Sequence, residues 1–434
     1  MEDNNKGFGK GLLVGILGGA IGMFIVAAIV MIVGVNIFSF SNDMKQNSID
    51  GVYAYEEGEI GPTGGIMAEL SETEEFIIGK VGYLVTLIDK EFLFDYELED
   101  LLDGMYYGML DSLEDVYSVY YNEEEFKDLM EGTEGIYYGI GVRVSQNYET
   151  GTITVVDAFP GTPAEEAGML PGDILVGVAD QDITQMDLNL VVNLIKSDEE
   201  GSKVKITVLR NGEYVDMMVE RRKVEYPTVE HTMLENNIGY LQLLEFDTVS
   251  VEQFEKALLD LKSKGMEGLV IDLRNNPGGT LGSVVGILDM VLPECTIIYT
   301  EDKDGNIDNK YVSDANTILD VPAVVLINGY SASAAEVFAG DMQDTGMATL
   351  VGTTTFGKGI VQQIYPIADG TAVKLTQSSY FTSGGRNIHG TGIEPDVYVD
   401  LDEHLKTQSV VSMEEDNPLH KAIEVLESKM KAEG

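Results

Sequence analysis

Val321-Pro322-Ala323-Val324-Val325-Leu326-Ile327-Asn328-Gly329-Tyr330-Ser331-Ala332-Ser333-Ala334-Ala335-Glu336 decides how the rest of the chain is read. Its first half has the β-branched run of a buried strand, ending at a glycine turn. Its second half opens a helix whose apolar side carries Val337, Phe338 and Met342. Ser333 is thereby placed at a helix N-terminus, where the leading amides have no intrahelical acceptor and the dipole favours negative charge. An oxyanion forming beside its hydroxyl would be stabilised by the Ala334 amide. Downstream lies Thr355-Phe356-Gly357-Lys358-Gly359-Ile360-Val361-Gln362. A serine needs a base, and lysine serves as one only when burial lowers its pKa toward neutrality. Gly357 and Gly359 admit a neighbouring backbone, while Phe356, Ile360 and Val361 would keep water from Lys358. On a strand, Lys358 and Gln362 leave the same face, so the amide would orient the amine. The same residues also suit plainer roles, with Ser331 and Ser333 as helix caps and Lys358 as a surface lysine.

The pattern Gly-x-Ser-Ala-Ser-Ala-x-Glu followed by Thr-Phe-Gly-Lys-Gly-x-Val-Gln resembles the active-site pair of the C-terminal processing peptidases. These are tail-specific Ser/Lys proteases of the S41 type that carry a PDZ domain. The resemblance implies the second serine, Ser333, as nucleophile and Lys358, 25 positions on, as base, with Gln362 also matching. It implies a second oxyanion donor from the loop Arg274-Asn275-Asn276-Pro277-Gly278-Gly279, at Gly279 or, as the lesser choice, Gly278. By itself Pro-Gly-Gly is a tight turn into a helix. The run from Ser383 to Asp396 matches the family's closing segment, with His389 where glutamine is expected. A histidine triad through His389 is disfavoured, because Gly329-Tyr330-Ser331-Ala332-Ser333 ends in serine where a nucleophile elbow requires glycine.

With 434 residues the chain is long enough for several domains. Residues 11–42 carry no charged side chain, longer than the roughly 20 residues a bilayer span needs. A cleaved signal peptide is the alternative, but its apolar core would be shorter and end in a small-residue site. Lys6 and Lys10 before the span predict a cytoplasmic stub and an exported remainder, hence a single-pass cell-membrane protein with an extracytoplasmic catalytic domain. A net charge of −47 excludes a nucleic-acid partner. The single Cys295 excludes an intrachain disulfide framework, and no His/Cys cluster has metal spacing, so no metal and no cofactor are expected.

The expected order is a stub (1–10), a transmembrane helix (11–40), a linker (41–70), a helical region (71–134), a small β domain (135–222), an α/β core (223–404) and a C-terminal linker and helix (405–434). In the helical region, Phe76, Ile77, Val81, Leu84, Leu87 and Ile88 recur at helical spacing, a stripe that reads as core. Residues 104–120 resemble the family's N-terminal region, which implies dimer contacts, although Val116 replaces the usual proline. Gly139-Ile140-Gly141-Val142 together with Ala167-Gly168-Met169-Leu170-Pro171-Gly172-Asp173 resembles a PDZ domain. Its open turn would present amides to a peptide carboxylate, and the following strand would offer an edge for the peptide. The fold class is therefore mixed α/β with a PDZ insertion and helical ends. The expected function is extracytoplasmic endopeptidase action on proteins with a free C-terminus. The alternative from another class is a non-catalytic PDZ scaffold that binds exported C-termini.

Overall fold

The computed structural model describes residues 72–147, 150–197, 199–406, 408 and 411–433. The expected span at 11–40 and the linker at 41–70 lie outside the described residues. Among the described residues no helix is long and apolar enough to cross a membrane.

The larger unit is built on a six-stranded sheet in the order Val229–Met233, Ile238–Leu243, Gly268–Asp272, Ala323–Ile327, Ala348–Gly352, Val397–Tyr398. The first pair is antiparallel and the rest are parallel. Parallel strands need covered faces, which explains why Ala323–Ile327 is buried at every position. Leu269, Ile271, Val325 and Ile327 point to one face, where helices Ser250–Ser263, Leu281–Val291 and Ala334–Asp344 pack. Val270, Val324 and Leu326 point to the other, covered by Leu419, Ala422 and Leu426 of helix Asn417–Glu433. Arg274 ties that last helix down, pairing with Asp272 and, at 2.7 Å, with Asp416.

A second, antiparallel sheet joins Val119–Tyr121, Ala372–Phe381, Thr296–Glu301 and Ile307–Val312, with Ile360–Pro366 also on Ala372–Phe381. The stretch expected to be wholly helical therefore donates a strand to the larger unit, through Val119↔Lys374 and Tyr121↔Ala372. Helices Glu72–Glu91, Leu98–Asp111 and Glu123–Glu134 make up the rest of that region. The apolar stripe of Glu72–Glu91 is not core. Phe76, Ile77, Leu84 and Leu87 are exposed, because no described element packs over them.

Residues 142–220 form a separate small sheet in the order Val142–Gln146, Ile153–Ala158, Ile174–Val178, Lys203–Arg210, Glu213–Glu220. Its core of Ile140, Ile153, Val155, Val178, Val191 and Ile206 is separate from that of the larger unit. Val142–Gln146 is an edge strand.

Candidate active site

Two loops leave the C-terminal ends of adjacent parallel strands, Gly268–Asp272 and Ala323–Ile327, and so meet above the sheet. Ser331 Oγ donates to the Leu273 carbonyl at 2.8 Å, and the Ala332 amide donates to the Asn276 carbonyl at 3.0 Å. These bonds stitch the serine loop to the Pro-Gly-Gly loop and make Ser331 structural.

Ser333 is the contrast. It has φ +64°, a left-handed value that is strained for a side-chain-bearing residue. Its Oγ is buried and has no hydrogen-bond partner among the described residues. The Glu336 amide bonds the Ser333 carbonyl at 2.8 Å, which leaves the hydroxyl out of the cap. A strained, unbonded serine between strand and helix is elbow geometry, reached here without the Gly-x-Ser-x-Gly pattern.

Gly278 lies directly in front of it. A Cβ at Gly278 would stand 2.7 Å from Ser333 Cβ and 3.0 Å from the Ala334 nitrogen. The missing side chain opens the space that an oxyanion would fill. The Gly278 amide, however, donates to Asn276 Oδ1 at 2.8 Å, so Gly278 is not a free donor. The reason is that buried Asn276 is itself anchored by donating to the Leu243 carbonyl at 2.7 Å. Neither the Gly279 nor the Ala334 amide has an acceptor among the described residues. Gly279 must be glycine for a second reason: a Cβ there would lie 2.3 Å from the Phe246 carbonyl oxygen.

Lys358 is buried, and burial together with the charge of nearby Lys374 lowers its pKa to about 7, against opposing pulls from Asp115 and Glu336. Its Nζ sits 4.5 Å from the centre of the Tyr117 ring. No hydrogen bond joins it to Ser333 Oγ. Gly357 and Gly359 do admit another backbone, that of Gly392 and His389. Phe356 is 43% exposed, so the wall beside the lysine is Tyr117 rather than Phe356. Lys358 precedes the strand, which starts at Ile360 and shifts register between Val361 and Gln362. The expectation that Lys358 and Gln362 share one strand face is therefore not met. Gln362 donates instead to Thr376 Oγ1 at 3.3 Å. His389 is exposed and takes no part in the Ser333 arrangement.

The residue that unites these pieces is Glu336. Its Oε2 accepts from the amides of Ser333 and Lys358, each at 2.8 Å, and its Oε1 accepts from Gly357 at 2.7 Å and Thr355 at 2.5 Å. Burial pushes this carboxyl above the usual range, and the donors pull it back. Tyr380 completes the clamp, its hydroxyl 2.6 Å from the Lys358 carbonyl and 3.2 Å from that of Ser333. Both peptide groups are thus held by the same two side chains. Glu336 was legible as the last residue of a Ser-x-x-Glu capping pattern. Tyr117, Lys374 and Tyr380 carried no local signal, because they reach the site only through the second sheet.

At the other candidate site, Gly141 has φ +77° and Ile140 is buried. The Tyr137 hydroxyl lies toward the amides of Gly141 and Val142, which were expected to face a carboxylate. Gly139 closes the preceding strand over the Tyr137 ring, 2.5 Å from where its Cβ would be.

Comparison with known proteins agrees with this architecture. Peptidase family S41 matches residues 237–399, a PDZ domain matches residues 139–220, and the activating protease CtpB N-terminal domain matches residues 24–125. The carboxy-terminal processing protease CtpB of Bacillus subtilis is 34% identical over 338 residues, covering 76% of this chain and 70% of that protein. The chain belongs to peptidase family S41. CtpA of the same organism is 35% identical over 312 residues, 71% of this chain and 66% of that protein, so the chain spans just under two thirds of its length. A solved structure, the photosystem II D1 C-terminal processing protease, is 28% identical at a TM-score of 0.43, covering 75% of this chain and 88% of that one. This S41 chain is a serine-type peptidase with a PDZ domain.

Proposed function

We propose that this S41 peptidase is a membrane-anchored, extracytoplasmic endopeptidase that cuts exported proteins near their C-termini, with Ser333 as nucleophile and Lys358 as general base. One observation carries the reading. The Ser333 hydroxyl is buried and unbonded beside the open space at Gly278, and Glu336 holds its peptide group to that of a buried, pKa-lowered lysine. Neutral Lys358 leaves the Tyr117 ring and takes the Ser333 proton as Oγ bonds the scissile carbonyl carbon. The amides of Ala334 and Gly279 hold the resulting oxyanion. The lysine ammonium then gives its proton to the departing amine as the C–N bond breaks. Water, deprotonated by the same lysine, releases the acyl group and restores Ser333. Gln362 acts at one remove, through its hydrogen bond to Thr376 on the neighbouring strand Ala372–Phe381.

The Ile140–Val142 amides would take the free carboxylate of the substrate in place of the Tyr137 hydroxyl, and the names of the relatives support C-terminal processing. The uncharged stretch 11–42 supports the anchor, and the exposed apolar face of Glu72–Glu91 supports a homodimer. A non-catalytic PDZ scaffold would have no use for the unbonded Ser333 hydroxyl.

The test uses the full-length protein in detergent and an unfolded reporter with an apolar tail, free or amidated at its C-terminus. Wild-type protein should cut the free-acid form faster, at a rate that rises with pH through about 7 as Lys358 becomes neutral. Ser333→Ala should abolish cutting, and so should Lys358→Arg, which keeps the charge but offers no neutral form. Near-normal turnover by Lys358→Arg would refute the assignment.

A further inference from the structure

The mechanism leaves unused a cavity of about 910 Å³ between the PDZ unit and the catalytic unit. Its lining includes the edge strand, through Val142, Arg143 and Val144, and also Val119 and Tyr121, two and four residues past the Tyr117 whose ring lies 4.5 Å from Lys358 Nζ. Glu245 and Asp247 also line it. Asp247 is 3% exposed, and its Oδ1 has no hydrogen-bond partner among the described residues. A buried carboxyl oxygen without a donor is costly, and a large cavity beside it indicates where a donor would come from. Arg143, the one basic residue of the lining, is already paired with Asp157 at 3.0 Å and Glu230 at 3.6 Å. The lining also contains Glu125 and Asp128, so it presents four carboxyl side chains against one guanidinium.

We infer that this cavity is a recognition site for a cationic side chain, lysine or arginine, in the C-terminal segment of the peptide substrate, received by Asp247 and Glu245. The inference deepens the reading of the protein as a tail-directed peptidase and rests on it. A tail that adds to the Val142–Gln146 edge sends alternate side chains to opposite sides of the strand. The chain upstream of the tail would then pass through the cavity toward Val119–Tyr121 and the Ser333 region. An entering ammonium or guanidinium supplies the donor that Asp247 Oδ1 lacks. It also offsets the burial that pushes both carboxyls above their usual range, to which Glu245 adds by repelling Asp247. Aliphatic stems suit the apolar walls, with the charge at the far end.

Selectivity is read by binding, so that it does not depend on turnover. Fluorescent peptides with a free C-terminus carry lysine, norleucine or glutamate in turn at each of the last several positions, and are titrated onto full-length Ser333→Ala protein. At one or two positions lysine should bind roughly 10-fold or more tighter than norleucine, with glutamate weaker than both. In Glu245→Gln with Asp247→Asn, the lysine-to-norleucine ratio at those positions should fall to near 1. The two single variants, each a near-isosteric change, report the same ratio if the double variant does not fold. Equal affinity for lysine and norleucine at every position overturns the inference, as does an undiminished lysine preference in the acid-to-amide variants. Cleavage of the norleucine peptides by wild-type protein is scored separately, and its absence counts against the peptidase reading rather than against the site.

Discussion

Gly278→Ala tests the oxyanion geometry with one methyl group. The added carbon would stand 3.0 Å from the Ala334 nitrogen, 2.7 Å from Ser333 Cβ and 2.8 Å from the Ala332 carbonyl oxygen. An oxyanion must sit about 2.7–3.1 Å from its donors, so the methyl takes the volume the oxyanion needs. Two of the three contacts are with backbone that is pinned through Asn276 and cannot retreat cheaply. The φ of +110° adds roughly 1–3 kcal/mol of strain. Loss of one oxyanion donor typically costs about 10²–10³ in kcat, and a blocked hole should cost at least that. Stability should fall by only a few kcal/mol. The assay is single-turnover cleavage of a quenched fluorescent peptide, with thermal melting of the same samples. Gly305→Ala is the control, since it has a similar positive φ of +80° but open space around its Cβ. It should melt slightly lower and cut normally. If Gly278→Ala keeps wild-type kcat, the space before Ser333 is not the oxyanion site.

Two further substitutions probe the support of the site. Lys374→Met removes a buried positive charge that helps to hold Lys358 low, so the Lys358 pKa should rise. In the proposed mechanism the neutral amine is the active form, so the rising limb of the pH–rate profile should move to higher pH, and a limb that stays or moves down would refute the coupling. Glu336→Gln keeps one carbonyl acceptor for the four donors and turns an amino group toward the others. With two donors unmet, stability should drop by roughly 2–6 kcal/mol, and cleavage should fall even at temperatures where circular dichroism shows the variant folded.

The local sequence determined what short-range chemistry can determine. The unbroken apolar run Ala323–Ile327 had to be a two-sided buried strand. Ser333 followed it at a helix start, and Pro277-Gly278-Gly279 read as a tight turn into a helix. Backbone propensity, glycine and helix-end electrostatics act within a few residues, so these features are legible without a fold. Tertiary structure decided the rest. Ser331 is fixed in a structural role by its hydrogen bond to the Leu273 carbonyl, and the Gly278 amide is taken up by Asn276. The protonation of Lys358 depends on Tyr117, Lys374 and Asp115, gathered by pairing of Val119–Tyr121 with Ala372–Phe381. The stripe on Glu72–Glu91 has core periodicity yet meets solvent, because periodicity reports only that a face is apolar. What covers an apolar face, and which charges meet a buried amine, are set by residues far away in the chain and brought near only by strand pairing and sheet packing.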